Sequence, residues 1–175
     1  MTWFLPLLLT TTALAGKWDD APSDVEVTRQ VAAAPTAVHA AVADLRRFSE
    51  LLPADCATDW QFTSSTAGRG ARAKVRYTFG PLKRNTSAMV VDDQPGLIWR
   101  IEHEGDKKGF FTQVTTAQTG NGTLVTLVSF LNAPPWPFAG PFHKKVRPAW
   151  TDCYERTLTA LAAQVSPGPA PVAPQ

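Results

Sequence analysis

The sequence predicts an α+β domain in which an antiparallel sheet packs its apolar face on one long C-terminal helix. Two observations carry that prediction. Between about residue 58 and residue 131, short segments of alternating apolar and polar residues are separated by turn residues, which is the signature of successive half-buried strands. Near the C-terminus, Val146, Trp150, Cys153, Thr157, Leu161 and Val165 recur at helical spacing and make one apolar stripe.

Composition narrows the class further. The 175 residues are 44% hydrophobic and 18% charged, with 17 Lys+Arg, 15 Asp+Glu, 11 Gly and 2 Cys. Disorder requires low hydrophobicity and high net charge, a collagen-like chain requires a glycine period, and a disulfide-built miniprotein requires many cysteines. A net charge of +2 does not supply the concentrated basic footprint of a nucleic-acid binder.

The ends account for much of the low charge. Met1 to Leu9 is an apolar run, followed by three threonines and Ala13-Leu14-Ala15, which has the form of a secretory signal with an A-x-A cleavage site. The run is too short to span a bilayer, which needs about 20 apolar residues. Residues 1–15 are therefore read as a signal peptide, which makes the protein exported, and 16–23 as a linker. Residues 166–175 carry four prolines and are read as an extended, disordered tail. A single domain over 24–165 remains. It contains all the acidic and basic residues but Lys17, Asp19 and Asp20, and a chain of that size buries roughly 68–70% of its unfolded surface.

Within the domain, Val25, Val27, Arg29 and Val31 alternate with polar residues and predict the first strand. Pro35 then opens one short helix at its first turn, with Val38, Ala41, Val42, Leu45 and Phe48 on its apolar face, and Leu51-Leu52-Pro53 ends it. Six strands are expected at 58–66, 71–80, 84–93, 97–104, 109–117 and 122–131. They are punctuated by Gly68/Gly70, Gly80-Pro81, Gln94-Pro95-Gly96, Gly105-Asp106 and Gly120-Asn121-Gly122. Ala73, Val75, Tyr77 and Phe79 face the covered side, and Arg72, Lys74 and Arg76 face solvent. Leu97, Trp99, Ile101 and His103 form a second inward row. The last helix is expected over 141–165, with Pro148 either starting its main part or kinking it.

Export would bring Cys56 and Cys153 into an oxidising compartment, where a pair commonly bridges, and a bridge closing that loop adds about 4–5 kcal/mol in the chain-entropy model. The expected elements argue the other way. Cys153 lies mid-helix, about 18 Å from the helix's C-terminal end by the 1.5 Å rise, while Cys56 follows the other helix. Two separate small core cysteines are the expectation, with a bridge as the alternative.

The element order and two local segments resemble a known superfamily. Val31-Ala32-Ala33-Ala34-Pro35-Thr36-Ala37-Val38-His39 is similar to its strand-to-helix entry, with His39 where an aromatic is usual, and Asp44-Leu45 through Leu52-Pro53 is similar to its helix exit. On these residues the chain resembles the START/Bet v 1-like (SRPBCC) superfamily, in its polyketide cyclase/dehydrase and lipid-transport group, over about residues 24–165. The resemblance implies a helix-grip fold: a curved seven-stranded antiparallel sheet wrapped around the last helix and enclosing a hydrophobic cavity. It also implies binding of lipids, sterols, polyketides or other apolar small molecules, with a minority of members catalysing cyclisation or dehydration.

Chemistry-bearing motifs are few. His39, His103 and His143 lack metal-ligand spacing, and no CxxC, HExxH, P-loop, GxGxxG or GxSxG pattern occurs, so no metal or cofactor is expected. Arg29, Tyr77 and His103 fall on inward positions and are the candidates for cavity acid–base chemistry. His103, with an ordinary pKa near 6.5, reads either as such a group or as a strand-end histidine solvated near the mouth. The expected ligand-lining set is Tyr77, Phe79, Trp99, Ile101, His103, Phe110, Val146 and Trp150, and plain core packing is its alternative. The run Ala133 to Phe142, rich in Pro and aromatics and followed by His143-Lys144-Lys145, is expected at the cavity entrance. There Trp136, Phe138, Phe142, Lys144 and Lys145 either rest on an anionic membrane surface or form a rigid cover.

The functional expectation is an exported, monomeric carrier or binding protein for an apolar small molecule or lipid. The alternatives are a cyclase or dehydratase acting on a polyketide-like substrate in the same cavity, and a protein-interaction module whose cavity is filled.

Overall fold

A computed structural model describes residues 24–63, 65–105, 110–130 and 139–166, with the backbone alone for 105, 139 and 141–143. The residues expected to form a signal peptide, a linker and a C-terminal tail beyond Ser166 lie outside the described residues. The chain runs β1 (Val25–Val31), α1 (Pro35–Val42), α2 (Leu45–Leu51), β2 (Ala57–Phe62), β3 (Arg72–Phe79), β4 (Leu82–Gln94), β5 (Ile98–Gly105), β6 (Phe110–Thr119), β7 (Gly122–Phe130) and α3 (Ala139–Val165).

The strands form one seven-stranded antiparallel sheet in the order β1-β7-β6-β5-β4-β3-β2. Consecutive strands from β2 to β7 are neighbours, and β1 joins the far edge beside β7, so α1 and α2 carry the chain from one edge of the sheet to the other. With α3 packed against β1, β3 and β7 and against both short helices, this is the helix-grip fold. Alternation along β3 matches the expected facing: Ala73, Val75, Tyr77 and Phe79 are buried, while Arg72, Lys74 and Arg76 are exposed. At the β6–β7 turn, Gly122 has φ +134°, and a β-carbon there would collide with the Val31 carbonyl of β1, so the close approach of the edge strand requires glycine.

Four local expectations need correction. The single helix from Pro35 to Leu52 is two helices, broken where Asp44 turns extended (φ −122°, ψ 125°). Asp44 Oδ1 accepts the Arg46 and Arg47 amides at 2.8 and 3.2 Å, and its Oδ2 accepts the Thr66 hydroxyl at 2.7 Å. An N-cap of this kind competes with continued helix and here wins, because Thr66 and the Leu45 amide, bonded to the Thr66 carbonyl at 2.7 Å, hold the bend. Leu97 is 56% exposed, since it closes the turn from Gln94 and strand β5 begins one residue later. Strand β4 begins at Leu82, two residues before the expected position, because Gly80-Pro81 serves as a two-residue turn pairing Phe79 with Leu82.

The fourth correction concerns the cysteines. Cys56 and Cys153 form a disulfide with Cα atoms 6.1 Å apart. Cys153 does lie in the middle of α3, as the helical rise requires, but the chain following the short helices does not stay apart from it. Instead the turn after α2, where the Cys56 and Ala57 amides both bond the Pro53 carbonyl, meets α3 at its middle. Pro148 lies inside α3 rather than starting it.

His39, the departure at the entry of α1, is buried and bonds Asp93 of β4 through Nε2 at 2.7 Å, which ties α1 to the sheet.

Candidate functional site

Strand register decides which side chains meet on the inner face of the sheet. Tyr77 of β3 lies opposite Arg84 of β4, Ala88 opposite His103 of β5, and His103 opposite Phe110 of β6. One row along, Ile101 lies opposite Thr112, and Thr112 opposite Ser129 of β7. Over this surface α3 lays Val146, Trp150 and Tyr154, spaced four apart on one helical face.

The result is a closed aromatic cluster. Phe79 stacks on Trp150 with ring centroids 3.3 Å apart, and the His103 ring stacks on Phe110 at 4.1 Å. Tyr77 stands perpendicular to both members of the second pair, 5.2 Å from His103 and 5.5 Å from Phe110. The perpendicular geometry of Tyr77 is one that the ring quadrupole favours. Of the eight expected lining residues, all are buried, and Tyr77, Phe79, His103, Phe110 and Trp150 come together in this cluster. Trp99 sits apart, edge-on to Phe48 of α2 at 4.9 Å, where it anchors the helix to the sheet.

Polar atoms are threaded through the cluster. Tyr154 Oη and Thr112 Oγ1 are 2.9 Å apart, and Thr112 Oγ1 is 3.3 Å from His103 Nε2. Tyr77 Oη and His103 Nδ1 have no hydrogen-bond partner among the described residues, although Tyr77 and His103 are only 3% and 1% exposed. Burial lowers the His103 pKa to about 3. Burial, and secondarily Tyr154, holds the Tyr77 phenol well above its ordinary value, and burial raises Tyr154 to about 12 against the opposing influence of Ser129, Thr112 and Trp150. All three groups are thus neutral at neutral pH and act as hydrogen-bonding groups rather than charges.

The third acid–base candidate does not join them. Arg29 is on the inner face as its alternation requires, but β1 is an edge strand, and the side chain is exposed there with Nη1 donating to Thr159 of α3 at 2.7 Å. His103 itself is fully enclosed, against the expectation of a solvated strand-end group.

Three residues of this interior, two on the inner face of the sheet and one on α3, escaped the sequence reading. Arg84 is half-buried, with its guanidinium carbon 6.0 Å from the Phe110 ring centre and its pKa lowered by burial. The two-residue Gly80-Pro81 turn was the signal for it, since that register places Leu82, Arg84, Thr86 and Ala88 inward. Tyr154 follows Trp150 by four residues, so the helical period already contained it. Thr112 carries no composition signal, and only the register reveals it.

The outer face has a separate groove of about 590 Å³ over β2–β5, lined among others by Asp59, Gln61, Lys74, Arg76, Ser87 and Glu104. It is charged and open to solvent, and Arg76 is already engaged by Asp59 at 2.8 Å and by Asn85 at 3.0 Å. Among the described residues no cluster of three or more His, Cys, Asp or Glu could hold a metal ion. Of the expected entrance residues, Trp136 and Phe138 and the Phe142 side chain lie outside the described residues, and Lys144 and Lys145 are exposed near the start of α3.

The family model for polyketide cyclase / dehydrase and lipid transport matches residues 22–166. The chain belongs to that family. A search of curated proteins returned no match. Among solved structures the chain is similar to TTHA0849 from Thermus thermophilus, at 21% identity and TM-score 0.66, covering 81% of this chain and 95% of that one. It is also similar to the di-domain ARO/CYC StfQ from the steffimycin biosynthetic pathway, at 14% identity and TM-score 0.65, covering 81% of this chain and 51% of that one. A third is Ara h 8.0201, at 12% identity and TM-score 0.52, covering 80% and 95%. At these identities the likeness concerns the fold.

Proposed function

We propose that this family member is an exported binding protein for an apolar small molecule of the lipid class, held between the inner face of the sheet and α3. The observation that carries the reading is a group of three polar atoms without a hydrogen-bond partner, Tyr77 Oη, His103 Nδ1 and Trp150 Nε1, gathered in one buried aromatic cluster. A buried donor or acceptor left unpaired costs about 1–3 kcal/mol, so three in one cluster call for a partner that the chain does not itself provide. A mostly apolar ligand with a polar group supplies it, in keeping with sites that combine hydrophobic walls and a few placed polar groups.

Binding is favoured over acid–base catalysis by the protonation states. A general acid or base works best with a pKa near the operating pH. His103 near 3 and Tyr154 near 12 are both far from it, and Tyr77 is displaced in the same direction as Tyr154. The cyclase or dehydratase reading therefore has less support.

Export is supported by the Cys56–Cys153 disulfide, since such bonds persist in oxidising compartments, together with the signal-like residues 1–15. The exposed Lys144 and Lys145 beside the Trp136–Phe142 run support transient docking on an anionic membrane during ligand exchange.

Solvent extraction and native mass spectrometry of the protein recovered from the exported fraction test this reading. The expected result is a chain beginning at Gly16 with an apolar molecule bound. An empty protein that takes up no apolar compound from a lipid extract favours the filled interaction module instead.

A further inference from the structure

Arg84 places a cation on the wall of the apolar interior. In strand register it lies directly opposite Tyr77, its side chain is half-buried, and its guanidinium carbon stands 6.0 Å from the Phe110 ring centre. Burial lowers its pKa, but a guanidinium stays protonated at neutral pH, so a charge is held where it has given up part of its hydration. A bound anion compensates such a charge best, because charge-assisted hydrogen bonds gain strength as the surroundings become less polar.

Two neighbours in the same cluster offer protons. Trp150 Nε1 is a donor only, and Tyr77 Oη carries a proton that no described residue accepts. Their rings lie nearly parallel with centroids 6.3 Å apart. Both can donate to an oxygen of a bound head group whatever the tautomer of His103.

The surroundings of Arg84 are cationic as well. A β-carbon on Gly80 would meet the Lys145 carbonyl at 3.0 Å and the Ala149 β-carbon at 3.5 Å, so the turn leading into β4 packs on the first turns of α3. That contact brings exposed Lys83 of β4 and exposed Lys144, Lys145 and Arg147 of α3 to one end of the molecule. No Asp or Glu occurs between Trp60 and Val91 or between Lys107 and Thr151, the two stretches that supply these cations, so the positive potential is not cancelled by neighbours in sequence.

Resting on the binding function proposed above, we infer that the interior takes an amphiphile with an anionic head, its chain on the aromatic cluster and its carboxylate or phosphate on Arg84, Tyr77 and Trp150. A neutral alcohol satisfies the donors but leaves the guanidinium uncompensated. An ammonium head meets like charge and accepts from neither donor.

Four probes with the same dodecyl chain test this on the mature protein at pH 7.5, each below its micelle concentration: dodecanoate, dodecyl phosphate, 1-dodecanol and dodecyltrimethylammonium. At least one anion is expected to bind about tenfold tighter than 1-dodecanol, with the ammonium weakest, and the tighter anion identifies the head as carboxylate or phosphate. That advantage is expected to shrink with added salt, and to fall to about twofold in Arg84→Gln, checked for folding by thermal melting. In the wild type, the Arg84 Nε–Hε resonance is expected to shift on adding the tighter anion and not on adding 1-dodecanol. Equal affinities across the series, a preference for the ammonium, an unmoved Arg84 resonance, or an anion advantage that survives in folded Arg84→Gln overturns the inference while leaving binding itself intact. Failure of all four probes to bind overturns it together with the proposed function.

Discussion

Cys56 and Cys153, 97 residues apart, are bonded to each other where the chain leaving α2 crosses the middle of α3. Arg156, one helical turn beyond Cys153, reinforces the junction: its guanidinium makes two 2.9 Å bonds to the Asp55 carboxylate, and Nη2 approaches Cys56 Sγ at 3.3 Å. A covalent link over so long a loop removes much of the freedom of the unfolded chain, by about 4–5 kcal/mol in the chain-entropy model. The Cys56→Ala/Cys153→Ala variant is expected to unfold at markedly lower urea concentration than the oxidised wild type, and reductant is expected to bring the wild type down to it. Equal midpoints with and without reductant contradict this.

Acid sensitivity follows from His103. Its folded pKa of about 3 lies below the unfolded value near 6.5, so between those limits the unfolded chain takes up a proton that the folded protein refuses. Stability from this group is complete above pH 6.5 and falls as pH drops toward 3, with a slope approaching about 1.4 kcal/mol per pH unit. The carboxylates of Asp44 and Asp55, whose pKa values are held below 3.8, lose their contributions in the same sense but only below about pH 4. Urea midpoints of His103→Phe should therefore change less between pH 7 and pH 4.5 than those of the wild type. Parallel curves remove His103 as the cause.

The bend between α1 and α2 depends on one carboxylate. Asp44→Ala removes acceptors for two backbone amides and for Thr66, and a loss of about 1–2 kcal/mol is expected in chemical denaturation. Asp44→Asn retains the capping geometry and should recover part of it. A neutral Asp44→Ala would mean that Thr66 and the packing of Leu45 and Phe48 hold the bend unaided.

Much of the fold was legible in the sequence because period-2 alternation and turn residues act locally. The inward row of β3, the helical stripe on α3 and the Pro35 entry were all readable in that way. What was not legible depended on distances between elements. The Cys56–Cys153 bond requires knowing where α2 crosses α3, and the Thr112 contact requires the β5–β6 register. Arg29 shows the remaining gap: its facing was read correctly, but alternation does not say that the inner face of an edge strand lies open to solvent.

Membrane docking makes a separate prediction. The mature protein is expected to co-sediment with anionic liposomes, and Trp136→Ala/Phe138→Ala and Lys144→Ala/Lys145→Ala are each expected to weaken that binding, the second in a salt-dependent manner. Equal binding by wild type and both variants discards the docking surface without touching the interior site.

The proposed ligand lodges on the inner face, against Tyr77 and His103. Isotope-filtered nuclear Overhauser spectra of the labelled protein saturated with unlabelled N-phenyl-1-naphthylamine test it most directly. Contacts are expected from the probe to the rings of Tyr77, His103, Phe110 and Trp150. Contacts confined to the outer groove around Lys74, Arg76 and Ser87, or an interior that shows none at saturating probe, would contradict it.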